Sequence, residues 1–87
     1  MNVTNMMNKH GNKIPNQFEI VDNDGAIYYQ SYQSIIAVKR NGLITLDANK
    51  WDYSRTTGKY RNRFLGESKA ETERKIKDGT YQLDDLN

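Results

Sequence analysis

Residues 17–47 alternate apolar and polar side chains with a period of two, the pattern of strands that bury one face. Four stretches show it: QFEIVD (17–22), AIYYQSY (26–32), SIIAVKR (34–40) and LITLD (43–47). NDG separates the first two stretches and Asn41-Gly42 the last two, and the glycines and asparagine of these turns accept positive φ angles. Gln33 is interpreted as a bulge or a bend between the middle two stretches. The pattern predicts three or four antiparallel strands joined by short turns.

After Asn49 the apolar spacing becomes helical. At 100° per residue, four side chains share one face that we expect to pack on the sheet: Tyr53, Thr57, Tyr60 and Phe64. Ser54 or Asp52 is positioned to cap the first turn, and Gly66 to end the helix. We therefore predict one helix over this segment.

A second short helix is predicted to follow. Ser68 and Glu71 have the spacing of a capping box, in which the serine bonds forward and the glutamate bonds back. Gly79 suits a left-handed C-terminus after Asp78, and TYQL (80–83) has the composition of a last strand. The expected fold class is α+β: a small antiparallel sheet of three to five strands with one or two short helices packed on one face.

The N-terminal stretch has no apolar periodicity and is rich in Asn, Lys and Met. Pro15 cannot continue a helix and holds the preceding residue extended. We expect residues 1–16 to form a flexible polar arm, residues 17–83 a single domain, and residues 84–87 a polar tail.

The composition argues against catalysis and cofactors. The chain has no cysteine and one histidine, His10, which lies in the predicted arm away from any nucleophile. Asp22 and Asp24 would suit a divalent cation, but acidic hairpin turns are usually only turns. We therefore expect a protein that is not an enzyme and holds no metal or cofactor.

No targeting or membrane segment is recognisable in the sequence. No apolar run reaches the roughly 18 residues that a membrane span requires, and the N-terminus has no apolar core of a signal peptide. The expectation is a protein without membrane contact in the cytoplasm of the cell that makes it.

Charge is concentrated in one segment. The chain has a net charge of +2, but residues 50–65 alone carry +4, from five bases against Asp52. The bases are Lys50, Arg55, Lys59, Arg61 and Arg63, and three aromatic residues lie among them. Basic side chains bind phosphates, and aromatic rings stack on unpaired nucleobases, so the segment is a candidate nucleic-acid surface.

The alternative interpretation is structural. The aromatic residues on the helical face are then core, and burial is the default for Trp51 in a domain this small. Arg55, Lys59 and Arg63 would remain as a basic stripe at intervals of four residues, which is common on solvated helices or at protein contacts.

Tyrosines of the second strand are the other candidate contacts. Tyr28 and Tyr32 point to one face of a strand and Tyr29 to the other, so one set is expected at the surface. Tyrosine and arginine are enriched at binding hot spots. The candidate partner-binding residues are Lys50, Arg55, Lys59, Arg61, Arg63 and Tyr29.

The block WDYSRTTGK (51–59), together with Ser31-Tyr32, Ser34, Ile36-Ala37 and Phe64-Leu65, resembles a family of small proteins of unknown function. The resemblance spans about residues 26–79. Members of that family occur in phages, prophages and mobile elements of low-GC Gram-positive bacteria. The block also suits a structural role, with Trp51 closing one end of the sheet and Asp52 and Ser54 capping the helix.

The resemblance implies a phage accessory protein that binds and inhibits a host defence machine, with an anti-CRISPR protein acting on a Cas nuclease complex as the expected kind. Many such inhibitors are acidic and imitate DNA, whereas this chain is basic, so we expect contact with a protein surface or a guide RNA. The alternatives are a nucleic-acid-binding protein using residues 50–63 and a subunit that assembles through a free sheet edge. The sequence leaves the oligomeric state open.

Overall fold

Six strands and two helices follow one another along the computed structural model, which describes all 87 residues. They are β1 (Asn2–Met7), β2 (Lys13–Val21), β3 (Ile27–Ser31), β4 (Ser34–Arg40), β5 (Leu43–Asp47), α1 (Arg55–Leu65), α2 (Lys69–Lys77) and β6 (Gln82–Asp84). The α+β class is confirmed. Neither helix has the length and apolar composition that crossing a bilayer demands.

The strands form one sheet in chain order, from β1 at one edge to β6 at the other. Neighbours are antiparallel except β5 and β6, which run parallel. Parallel neighbours require a long crossover, and α1 and α2 supply it. The predicted sheet was therefore too small and too uniform: it has six strands rather than three to five, and it is mixed rather than antiparallel.

The β4–β5 hairpin has the turn that the sequence predicts. Asn41 and Gly42 take φ angles of 53° and 77°, as a two-residue type I′ turn requires. Arg40 lies opposite Leu43 on either side of this turn, which sets the register of the two strands. Local turn chemistry is sufficient to specify this part of the sheet.

The prediction of a flexible N-terminal arm is wrong. Residues 2–7 form β1, which pairs with β2 in the register Val3 to Ile20 and Asn5 to Phe18. Met6 and Ile14 are only 6% and 8% exposed and belong to the core. An edge strand needs few apolar residues, because its backbone pairs on one side only and one of its faces meets solvent.

The core lies between the sheet and the helices. Its centre is formed by Tyr29, Ile36 and Leu46, which are fully buried, and Phe64 of α1 packs on it with its ring 5.8 Å from that of Tyr29. Lys39 reaches over the Phe64 ring and donates a hydrogen bond to the Phe64 carbonyl at 2.7 Å. These contacts hold α1 across β3 and β4.

The other face of the sheet carries no helix. A cross-strand row of residues lies there, formed by Val3, Ile20, Tyr28, Val38 and Thr45. Each strand alternates its faces, so these side chains point away from Tyr29 and Lys39. Val38 is buried in this row, whereas Val3 is 60% exposed.

The last four residues, predicted to be a polar tail, are held to the domain by hydrogen bonds. Asp84 closes β6, and the buried carboxylate of Asp47 accepts hydrogen bonds from the Leu86 N–H at 2.8 Å and the Asn87 side-chain amide at 3.1 Å. Burial alone would raise the pKa of Asp47, but these hydrogen bonds outweigh it and lower the pKa below its ordinary value. Asn87 also exchanges two hydrogen bonds with the backbone of Ile35.

Because Met6 is a core residue, its truncation should destabilise the whole domain. We expect Met6→Ala to lower the free energy of unfolding by about 2 kcal/mol or more, measured by urea denaturation. Val3→Ala, on the exposed face of the same strand, is the matched control and should change it by about 0.5 kcal/mol or less. Equal, negligible effects of both substitutions would restore the flexible-arm interpretation.

Candidate functional site

Helix α1 begins and ends where its capping residues dictate. The Ser54 hydroxyl accepts the backbone N–H of Thr57 at 3.1 Å, and Gly66 takes a left-handed conformation with φ 71°. Of the predicted apolar face, Thr57 and Phe64 are buried and Tyr60 is half-buried. Tyr53 is 46% exposed, because it precedes the first helical residue and does not follow the helical spacing.

Arg61 is not available to a partner, contrary to the prediction from the basic segment. It is only 1% exposed, and its guanidinium donates to the Trp51 carbonyl at 2.7 Å and to the Asp52 carboxylate at 3.1 Å. A further hydrogen bond of 2.8 Å reaches the side chain of Asn62. Arg61 is a structural residue that ties α1 to the segment before it.

Trp51 and Asp52 provide the environment that makes this burial tolerable. The Trp51 ring packs against the core and lies 5.1 Å from the guanidinium carbon of Arg61, within the range of a cation–π contact. Asp52 also binds the Lys69 ammonium at 2.7 Å. Desolvation would raise the pKa of Asp52, but the hydrogen bonds from Lys69 and Arg61 outweigh it and lower the pKa.

Tyr29 is likewise buried, so its prediction as a contact residue is wrong. Its side chain is fully enclosed beneath α1, and its hydroxyl donates to the Gln17 side-chain carbonyl. Burial raises the pKa of Tyr29 to about 12. Of the two sets of strand tyrosines, the helix-facing one is core, and Tyr32 at the β3–β4 turn is the exposed one.

The four other basic residues of segment 50–65 lie in two different places. Arg55, Lys59 and Arg63 are exposed along one side of α1 and form the basic stripe that the spacing predicts. None of the three takes part in an ion pair; the ion pairs of the structure are Arg61–Asp52, Lys69–Asp52 and Lys75–Glu67. Lys50 is half-buried and donates to the Ser34 hydroxyl at 2.9 Å, away from the stripe.

Two cavities open beside the stripe and share Lys59. The first, of about 640 Å³, surrounds the start of α1 and includes Arg55, Lys69 and the Asp52–Arg61 pair. The second, of about 520 Å³, lies between α1 and the turn joining β1 to β2, and we call it the basic groove. The basic groove is lined by Asn8, Lys9, His10, Ile14, Lys59, Tyr60 and Arg63.

The β1–β2 turn supplies residues of the basic groove that sequence analysis missed. The Asn8 side chain accepts the backbone N–H groups of His10 and Asn12 at 2.9 and 3.0 Å, and Gly11 takes a φ of 79°. This local network presents Lys9 and His10 towards α1. The available signal is the turn-forming composition of NKHGN (8–12), which lies in the stretch predicted to be an arm.

The electrostatic character of the basic groove follows from its lining. Lys9, Lys59 and Arg63 come from two distant parts of the chain and converge there, and no carboxylate lines the cavity. In the neighbouring cavity the only carboxylate is that of Asp52, which already binds Lys69 and Arg61. This side of the molecule therefore attracts anions.

The chain belongs to a family of unknown function, DUF8033, whose model matches residues 1–79. The match includes the first 25 residues, whereas the resemblance to phage proteins described above begins at about residue 26. No curated protein and no solved structure matches the chain. The occurrence of the family in phages stays a prediction.

The structural role of Arg61 can be tested against the exposed stripe. We expect Arg61→Ala to lower the free energy of unfolding by about 3 kcal/mol, because it leaves the partly buried oxygens of Trp51, Asp52 and Asn62 without their donor. Arg55→Ala is the control and should stay within about 0.5 kcal/mol of the parent chain. Urea denaturation measures both, and an undiminished stability of the Arg61 variant would contradict the structural role.

Proposed function

We propose that the protein is a non-enzymatic binding domain that contacts nucleic acid through the basic groove and the adjoining basic stripe. The observation that carries the proposal is the convergence of Lys9, Lys59 and Arg63 on one cavity without a carboxylate. Phosphate groups are the ligands that such a surface recognises, and binding them releases condensed counterions.

The arrangement of the stripe favours a polyanionic partner over a merely solvated face. Like charges four residues apart on a helix destabilise it by about 0.2–0.5 kcal/mol per pair. Arg55, Lys59 and Arg63 form two such pairs, and none of them has a compensating carboxylate. A solvated helix usually intersperses acids among its bases, whereas phosphates would relieve this repulsion.

Charge reversal in the basic groove tests the proposal. We expect the double substitution Lys59→Glu and Arg63→Glu to abolish binding of short labelled DNA and RNA oligonucleotides, measured by fluorescence anisotropy at low salt. For the parent chain, the affinity should fall with salt with a log–log slope of roughly three, from about 0.7 per phosphate over four contacts by Lys9, Arg55, Lys59 and Arg63.

The control for this experiment is the double substitution Arg74→Glu and Lys77→Glu near the end of α2, where both residues are exposed and form no ion pair. It changes the net charge by the same amount and should retain most of the affinity. Equal losses from both changes would show non-specific attraction to net charge, and absence of binding by the parent chain at low salt would reject the proposal.

Inhibition of a host defence machine is the second candidate function, proposed from the resemblance in phage proteins. The basic residues of α1, which form no ion pairs, have the opposite charge to a DNA mimic. They would suit the RNA of a ribonucleoprotein such as a Cas nuclease complex in the host cytoplasm. An inhibitor of this kind should slow target cleavage in a purified nuclease assay. The Lys59→Glu, Arg63→Glu variant should lose that effect, and cleavage unaffected by the parent chain would remove that nuclease as a target.

A further inference from the structure

We infer that the basic groove takes an unpaired base of a single-stranded nucleic acid, stacked on Tyr60, with the neighbouring phosphates held by Lys59 and Arg63. The inference rests on the proposed function and specifies its substrate class. It is drawn from the groove's lining, which combines cations with a tyrosine ring and an apolar side chain.

Tyr60 is suited to serve as a stacking platform. Its ring is half-buried and packs against the core cluster, so its orientation is fixed by the fold, yet the residue also lines the basic groove. Aromatic rings held in this way stack on bases of any sequence, because every base has a π-face. Tyr60 therefore offers a nucleobase a preformed surface.

The other walls of the basic groove complete a site for a flat ring. Ile14 of β2 contributes an apolar surface, and His10 of the β1–β2 turn contributes a second planar ring to the same cavity. The ammonium of Lys59 lies over the Tyr60 ring, 5.4 Å from its centre. A base stacked on that face would displace this ammonium, whose flexible stem lets it pair with the phosphate of the same nucleotide.

The size of the basic groove and the inaccessibility of bases in a duplex favour a single strand as the ligand. The cavity of about 520 Å³ lies in the range of roughly 300–1,000 Å³ that is typical of small-molecule sites. A nucleobase enters such a cavity only when it is unpaired, because duplex bases are stacked inside the helix and must be flipped out at a cost. A surface that reads only the phosphate backbone would need no such cavity.

The experiment compares three ligands of equal length on the parent chain: a single-stranded oligonucleotide, its duplex, and an abasic strand with the same phosphates. We expect the single strand to bind about tenfold more tightly than the abasic strand, and more tightly than the duplex. Equal affinities for all three would overturn the inference while leaving phosphate binding intact. No binding of any ligand would instead reject the proposed function.

Two substitutions test the position of the base. Tyr60→Leu keeps apolar bulk against the core but removes the ring, and we expect it to weaken single-strand binding about tenfold. It should leave the affinity for the abasic strand unchanged. Tyr60→Phe keeps the ring and should retain the parent affinity. A Tyr60→Leu variant that weakens both ligands equally would place the base elsewhere, and the comparison of ligands on the parent chain stands even where this variant fails to fold.

Discussion

The buried guanidinium of Arg61 is the contact on which the position of α1 relative to the segment that leads into it depends. It satisfies the Trp51 carbonyl, the Asp52 carboxylate and the Asn62 side chain at once, so it joins the segment after β5 to the last turns of α1. Burying a charge is costly unless it is paired and hydrogen-bonded, and here the partners come from both sides. The same contact fixes the rotation of α1, which turns the basic stripe outwards.

The rest of the core continues this polar construction. Beneath α1, Ser31 and Thr57 share a hydrogen bond of 3.0 Å, and Tyr29 bonds to Gln17. A domain of this size has little apolar surface to bury, and hydrogen-bonded side chains fill positions that a larger core would give to leucine or phenylalanine. The arrangement has a cost, because the amide nitrogen of Gln17 and the Nε atom of Arg61 have no partner within the protein.

Local signals account for the features that sequence reasoning found. The Asn41-Gly42 turn, the Ser54 cap and the Ser68–Glu71 capping box each depend on residues a few positions apart, and each is present in the structure. Strands β2 to β5 and helix α1 follow from periodicity, although β2 begins at Lys13 rather than at residue 17, and helix α2 follows from its capping box. The α+β class needs no more than these local assignments.

The errors concern interactions between distant residues. Strand β1 has too few apolar positions to show a period, and only pairing with β2 gives it structure. Arg61 and Tyr29 look like surface residues until their partners are known, since an arginine is buried only where a carboxylate such as Asp52 lies within reach. One local signal did exist: Arg61 lies four residues after Thr57 and three before Phe64, on the face of α1 that packs on the sheet.

Segment 51–64 is therefore neither a binding surface alone nor a structural motif alone. Trp51 and Phe64 pack on the core and Arg61 ties the helix to the segment before it, while Lys59 and Arg63 line the basic groove. That cavity has its second wall in the β1–β2 turn, some fifty residues earlier in the chain. Since the turn is held in place by Met6 and Ile14 in the core, the basic groove exists only in the folded domain. The basic residues of the isolated segment would bind phosphates, but they would lack the cavity that we expect to select an unpaired nucleobase.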